Sequence, residues 1–325
     1  MGSKTGLAAQ LGVGVESTWG TRVAPSRFLE ITSESLKLDI QRVESAGLRA
    51  GRRYTRGYHE NRKGIAGAIS GEVPTKGFGL IAKHIMGAVA TATPSGGTLT
   101  RDHTATPGDQ DGKSFSIQVG RPDDLGTVRP FDYTGCKIVS AEFANSVDGI
   151  LTYTLTIDGQ NEATNQSLAT ASYPTGLDQF FFAGAVLKLD DVEVDVKDVN
   201  FSISNGLKTD RYYLRNSSLK KEQIEDTAPR EVTGTFNADF SGMTLYNNFV
   251  SGAEAELVAL WQNPVEIESG FYPEFEVTLA RTRFDGETPN VAGTDVLNQA
   301  IPFKALEPAS GATASLRVRS SDSAP

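Results

Sequence analysis

A similar pattern occurs twice along this chain. Residues 33–53 read SESLKLDIQRVESAGLRAGRR, and residues 190–213 read DDVEVDVKDVNFSISNGLKTDRYY. Each is a strand-like alternation that runs into Gly-Leu-(Arg/Lys) and a basic, polar stretch. Gly47-Leu48-Arg49 falls on Gly206-Leu207-Lys208 at an offset of 159. A second match follows each of these. Ile65, Gly67 and Ile69 fall on Val232, Gly234 and Phe236 at an offset of 167, and Phe78, Leu80, Ile85 and Gly87 fall on Met243, Leu245, Val250 and Gly252 at 165. Offsets that change only by loop-sized amounts are the mark of a diverged duplication.

The second match predicts a short strand and then an amphipathic helix in each copy. Phe78, Ile81 and Ile85 are spaced to share one helix face, and Leu245, Phe249, Tyr246 and Val250 form two i, i+4 pairs. Thr75 and Ser241 are the expected N-caps. More strands follow each helix, among them a hairpin whose turn falls at Asp148-Gly149. The expected organisation is an N-terminal arm over 1–25, copy one over 26–160, a linker over 161–176, copy two over 177–310 and a C-terminal tail over 311–325. The expected fold is mainly β, with two tandem β-sandwich or partial-barrel domains and one flanking helix in each.

With 33 Gly, 14 Pro and 22% charged residues, the composition suits turn-rich β structure. The single Cys136 excludes an intramolecular disulfide framework and a cysteine zinc cluster, and it reads as a small strand residue. The N-terminus lacks a secretory h-region, and no apolar run spans a bilayer, so a soluble cytoplasmic product is expected. Residues 1–172 carry 18 Lys and Arg against 17 Asp and Glu, whereas residues 173–325 carry 13 against 23. A chain whose second half is so acidic does not fit a simple nucleic-acid binder.

No motif for catalysis emerges. Gly112-Lys113-Ser114 resembles the end of a phosphate loop, but Gly108 leaves three residues before Gly112 where four are needed. Asp109 and Asp111 lack the later ligands of a calcium loop. Gly12-x-Gly14 has no βαβ context and reads as flexible arm. His59, His84 and His103 have no metal-ligand spacing and read as surface or interface residues. No catalytic residue, cofactor site or metal site is assigned.

Residues 6–52, GLAAQLGVGVESTWGTRVAPSRFLEITSESLKLDIQRVESAGLRAGR, closely resemble the opening of tail tube proteins from long-tailed phages with non-contractile tails, the siphovirus type. Residues 275–306, FEVTLARTRFDGETPNVAGTDVLNQAIPFKAL, resemble the closing strands of the same family. The resemblance covers nearly the whole chain and weakens over residues 91–113 and at the last few residues. It implies a structural virion protein of the tail, assembled in the host cytoplasm, whose subunits join side by side into six-fold rings that stack into a tube. A chain with two copies meets that symmetry as a trimer. The implied partners are other copies of the chain, the tape-measure protein, the tail tip and the tail terminator, with DNA in transient, non-specific passage and no membrane insertion.

Two surfaces acquire expected roles in such a tube. The basic stretch with Arg49, Arg52, Arg53, Arg56, Arg62 and Lys63 is expected to form a loop that docks on acidic residues of the adjacent ring. A bore that repels phosphates needs an acidic wall. Asp191, Glu193 and Asp195 are its candidates, on a strand whose Val192, Val194 and Val196 face the other way. The alternatives are a head–tail connector or tail terminator, a secreted carbohydrate-binding or adhesin sandwich, and a β-rich hydrolase.

Overall fold

Alternating apolar side chains, many of them β-branched or aromatic, favour pleated strands over most of this chain. The computed structural model describes residues 5–214, 218–286, 288–289, 291, 293–294 and 296–325, and these are mainly β with two short α-helices. Positions 1–4 of the expected arm and positions 287, 290, 292 and 295 of the closing block lie outside the described residues.

The chain begins with β1 (Gln10–Val15), β2 (Arg27–Leu29), β3 (Ser33–Glu34), β4 (Lys37–Glu44) and β5 (Tyr58–Glu72). Then come α1 (Gly79–Met86), β6 (Gly87–Ala92), β7 (Arg101–Pro107), β8 (Phe115–Pro122), β9 (Val128–Ser146), β10 (Thr152–Gly159) and β11 (Asn161–Ala163). The second half opens with β12 (Ala185–Leu189), β13 (Val192–Val194), β14 (Val196–Ser204), β15 (Leu207–Lys208), β16 (Glu225–Asp226) and β17 (Glu231–Asp239). It closes with α2 (Thr244–Ser251), β18 (Glu254–Gln262), β19 (Glu274–Phe284), β20 (Asn298–Ala305) and β21 (Ala314–Ser320).

A central sheet runs β4–β5–β10–β9–β14–β17–β20 and so passes without a break from one half into the other. A second sheet runs β6–β7–β21–β19–β18–β12–β13, and the end of β19 also pairs with β20. At one end, β2, β1, β8, the first part of β9 and β11 form a third sheet. The 19-residue β9 serves two sheets because it bends at Gly135, whose φ of 64° is left-handed.

The two halves build their part of the central sheet in the same register. Glu72 to Ala66 pair with Thr152 to Asp158, and Asp239 to Thr233 pair with Asn298 to Lys304, at constant offsets of 167 and 146. Ser33 lies opposite Ser70 as Asp198 lies opposite Asn237, an offset of 165. The sheet therefore equates β3 and the start of β4 with β14 at 165, not at the 159 that aligns Gly47 with Gly206. Gly67 and Gly234 are needed for one reason: a Cβ on either would strike the backbone oxygen of the paired strand, Ser35 in one half and Asn200 in the other.

The halves also share a core. Phe78 packs on Phe143, Tyr153 and Phe275, and Phe143 in turn lies 5.0 Å from Phe201 and 5.3 Å from Phe275. Full burial of each such side chain contributes roughly 1.5–3 kcal/mol, so residues of both halves stabilise the same cluster. The helices are equivalent in position, α1 and α2 lying 165 residues apart, and each ends at a left-handed glycine, Gly87 or Gly252. They are not equivalent in burial. Helix α1 is enclosed between layers, with Phe78, Ile81 and Ile85 all buried, whereas no residue of α2 is buried.

Several expectations are corrected by packing. Thr75 and Ser241 do not cap the helices: the N-caps are Phe78 and Met243, and the Thr75 hydroxyl instead accepts from the Asp178 N–H. The expected arm over 1–25 contains β1, whose Leu11 and Val13 are buried because β2 and β8 pair with it on either side. The expected tail over 311–325 contains β21, inserted between β19 and β7 with Leu316 and Val318 fully buried. The expected linker over 161–176 pairs through β11 and is held at Ala169 by Gln10 and Gln118. His84 and His103 are core residues rather than surface ones; His103 sits between the Thr91 hydroxyl and the Asp322 carbonyl.

Candidate assembly surfaces

The β4–β5 hairpin is longer than its counterpart because its pairing continues beyond the sheet. The β14–β17 ladder stops at Ser204 opposite Glu231, which corresponds to Asp39 opposite Gly64; β4 and β5 go on pairing to Glu44 opposite Tyr58. At a rise of about 3.3 Å per residue, the extra Ile40 to Glu44 carry the tip roughly 15 Å farther. Every residue from Gln41 to Arg62 is exposed except the half-buried Arg52. Polar and charged residues with little apolar cover leave nothing there for the protein's own core to bury.

The six basic residues divide into two groups. Arg49, Arg52, Arg53 and Arg56 lie at the tip and pair with no carboxylate among the described residues; Arg52 only donates to the Gly47 carbonyl at 3.4 Å. Arg62 and Lys63 are not loop residues, because they sit on β5. The Arg62 guanidinium lies 5.2 Å from the centre of the Tyr212 ring, and Lys63 pairs with Glu60 at 2.6 Å while its N–H donates to the Leu219 carbonyl. Hydrogen bonding from Lys63 holds the Glu60 carboxyl below its ordinary value.

The acidic segment is a turn and a short strand rather than one two-faced strand. Asp190 and Asp191 take left-handed backbone, φ 46° and 65°, in the two-residue turn between β12 and β13, a conformation Asp tolerates. The ladder is interrupted at Asp195, where the chain leaves β12 and turns to β17. Val192 is 67% exposed, so the expected apolar face is not buried there. Asp191, Glu193 and Asp195 are exposed, and none pairs with a cation among the described residues. Between this segment and α2 lies an open cleft of about 710 Å³.

What joins the halves is not legible in the sequence. The described residues 205–214 and 218–230, legible only as a polar stretch, lie across the first half. Arg230 donates to the carbonyls of Met86, at 2.6 Å, and Gly108, and buried Lys137 donates to those of Gln110 and Ile224 at 2.6 Å. Burial lowers the pKa of Lys137. Lys221 pairs with Asp158 in the interior, where burial raises the Asp158 carboxyl and Lys221 opposes the shift. On the other side, the Glu268 carboxylate accepts from the N–H groups of Thr98, Leu99 and Thr100 and from the Thr98 hydroxyl, which hold it far below its ordinary range. Only a guanidinium or carboxylate at these positions would have hinted at such contacts, and a lone charge in a polar stretch carries no address.

The outer edge of β3 and β4 has no strand partner among the described residues. In the second half the same edge, on β14, is occupied by β9, from Asp198 opposite Ser146 to Ser204 opposite Ser140. Unpaired N–H and C=O groups on such an edge are a template for another strand.

No helix among the described residues is long and apolar enough to cross a membrane, and no three His, Cys, Asp or Glu side chains there come together as a metal site. A search of curated proteins found no match. The sequence model of the phage tail tube protein family matches residues 6–305, and with nearly its whole length covered the chain belongs to that family.

Proposed function

We propose that this chain closes into trimeric rings of pseudo-six-fold symmetry that stack into the tail tube of a siphovirus-type phage, as a structural rather than a catalytic protein. The observation that carries this reading is the open edge of β3 and β4. Inside one chain, β9 of the first unit pairs with β14 of the second; a neighbouring chain's β20, which over Asn298–Pro302 has a strand partner on one side alone among the described residues, can offer the β3–β4 edge a comparable contact. Repeating one junction around three chains leaves no free edge, and closure removes the tendency of that edge to aggregate. Because unlike halves alternate, each lateral contact joins a nearly neutral half to a strongly acidic one.

The proposal extends to assembly in the host cytoplasm, to ends bounded by a tail tip and a tail terminator, to a tape-measure protein inside during assembly, and to ejected DNA passing through a net-negative bore. Asp191, Glu193 and Asp195 are exposed as such a wall requires. The cleft that Glu193 and Asp195 line, with Val194, Val196 and Leu245 beside them, argues for a protein partner instead. Native mass spectrometry and electron microscopy of the purified protein test the ring: three chains giving six similar densities are expected. Rings of six chains overturn the reading.

A further inference from the structure

Lys221 and Asp158 are both buried and in direct contact, one on the segment that crosses the first half and the other within the central sheet. The backbone around each is fixed. Asp158 lies on β10 between Ala66 of β5 and Lys137 of β9. The Lys221 carbonyl accepts from the Gln160 side chain at 3.2 Å, and the Glu222 N–H donates to the Arg211 carbonyl at 2.9 Å. On the other side, the Leu219 carbonyl accepts from the Lys63 N–H. Gly64 makes room for the lysine stem, since a Cβ there would lie 2.7 Å from Lys221 Cε and 2.8 Å from the Tyr212 hydroxyl.

Other lysines do not share this setting. Lys197 and Lys304 meet Asp239 and Glu231 at the surface, where water keeps both partners ionised. Buried Lys137 meets peptide carbonyls and no carboxyl among the described residues. Between Lys221 and Asp158, burial favours the uncharged pair, an amine facing a carboxylic acid. It raises the Asp158 carboxyl, against the opposing pull of Lys221, the Gly159 N–H and Thr209. Reacting groups held in place in this way can condense without an enzyme.

We propose that Lys221 and Asp158 join in an isopeptide bond, a covalent clamp between the two halves. The ammonium first passes one proton to the carboxylate. The Nζ lone pair then attacks Cγ, so that an N–C bond forms and the Cγ–OH bond breaks. The hydroxyl takes a second Nζ proton and leaves as water, and the neutral amide that remains removes both buried charges. A cavity of about 240 Å³ beside the pair gives that water a way out, and Asp39 and Asp210 on its wall offer carboxylates to carry the proton. The clamp narrows the unfolded ensemble as a disulfide does, in a chain whose single cysteine can form no disulfide of its own. It does not depend on the tube reading.

Mass spectrometry of the purified, denatured full chain tests the bond. The major species should be lighter than its sequence by one water, about 18 Da. A tryptic digest should contain a branched peptide that joins the segments of Asp158 and Lys221, with no cleavage after Lys221. Asp158 precedes Gly159, so a cyclic imide on its own backbone would lose the same mass. Lys221→Arg separates the two: the full mass should return in this variant, whereas an imide would persist and open with hydroxylamine. A wild-type protein found mainly at full mass, or a mass loss that Lys221→Arg retains, overturns the proposal. Where the variant fails to fold, the wild-type digest decides: the branched peptide supports the bond, and linear peptides ending at Lys221 overturn it.

Discussion

His84 lies inside α1 with its ring 4.8 Å from Phe115 and its Nε2 without a hydrogen-bond partner among the described residues. Burial, and after it the charges of Lys83, Lys113 and Lys137, lower its pKa from 6.5 to about 3. The folded protein keeps the imidazole neutral, while the unfolded chain protonates it near its ordinary value. Its contribution to stability is thus complete above pH 6.5 and is lost as pH falls from 6.5 towards 3. Each pH unit in that window removes about 1.4 kcal/mol, so a fall of two units should remove roughly 2–3 kcal/mol. Urea denaturation near pH 6.5 and 4.5 checks this: His84→Gln should show a pH loss smaller by about that amount. An identical loss in both proteins would mean that other groups govern the acid limb.

At the level of elements, α1 and α2 show how a matching place in the two halves differs from role. Both helices stop at a left-handed glycine. At Gly87 a Cβ would also meet the backbone oxygen of Gly108, whereas at Gly252 it would meet open space. Gly252→Ala should therefore cost only the left-handed backbone penalty, about 1–2 kcal/mol. Gly87→Ala adds an overpacking cost of about 1–3 kcal/mol, and it disturbs the carbonyls of Met86 and Gly108 that Arg230 binds. Thermal denaturation of the two variants should place Gly87→Ala clearly below Gly252→Ala. Equal melting temperatures would show that the backbone near Gly108 yields without cost.

For the whole molecule, the shared sheet and core imply that the halves unfold together. Trp19 belongs to the first half and Trp261 to the second, so each can serve alone as a fluorescence probe. The variants Trp19→Phe and Trp261→Phe should each give one denaturant transition, and any intrinsic difference in midpoint should appear equally by circular dichroism and fluorescence. Leu316→Ala, in the strand that joins β19 to β7, should cost about 2–5 kcal/mol and lower both probes' transitions together. Two separated transitions would mean that the halves fold as independent domains.

The class of structure and most of its local pieces follow from residue order alone. The mainly β character, the helices 165 residues apart, the terminal Gly87 and Gly252 and the Asp148 hairpin are legible because each depends on side-chain period or on one residue's backbone preference. The basic cluster and the acidic cluster were legible as charge. Which strands meet depends on the folded chain: β9 with β14, β21 between β19 and β7, and β1 inside a sheet where an arm was expected. The fold also moved Arg62 and Lys63 onto a strand, put Asp191 in a turn and buried His84 and His103. Strand pairing is settled by contacts between residues tens to hundreds of positions apart, and a strand's own alternation states that one face will be covered without stating by what.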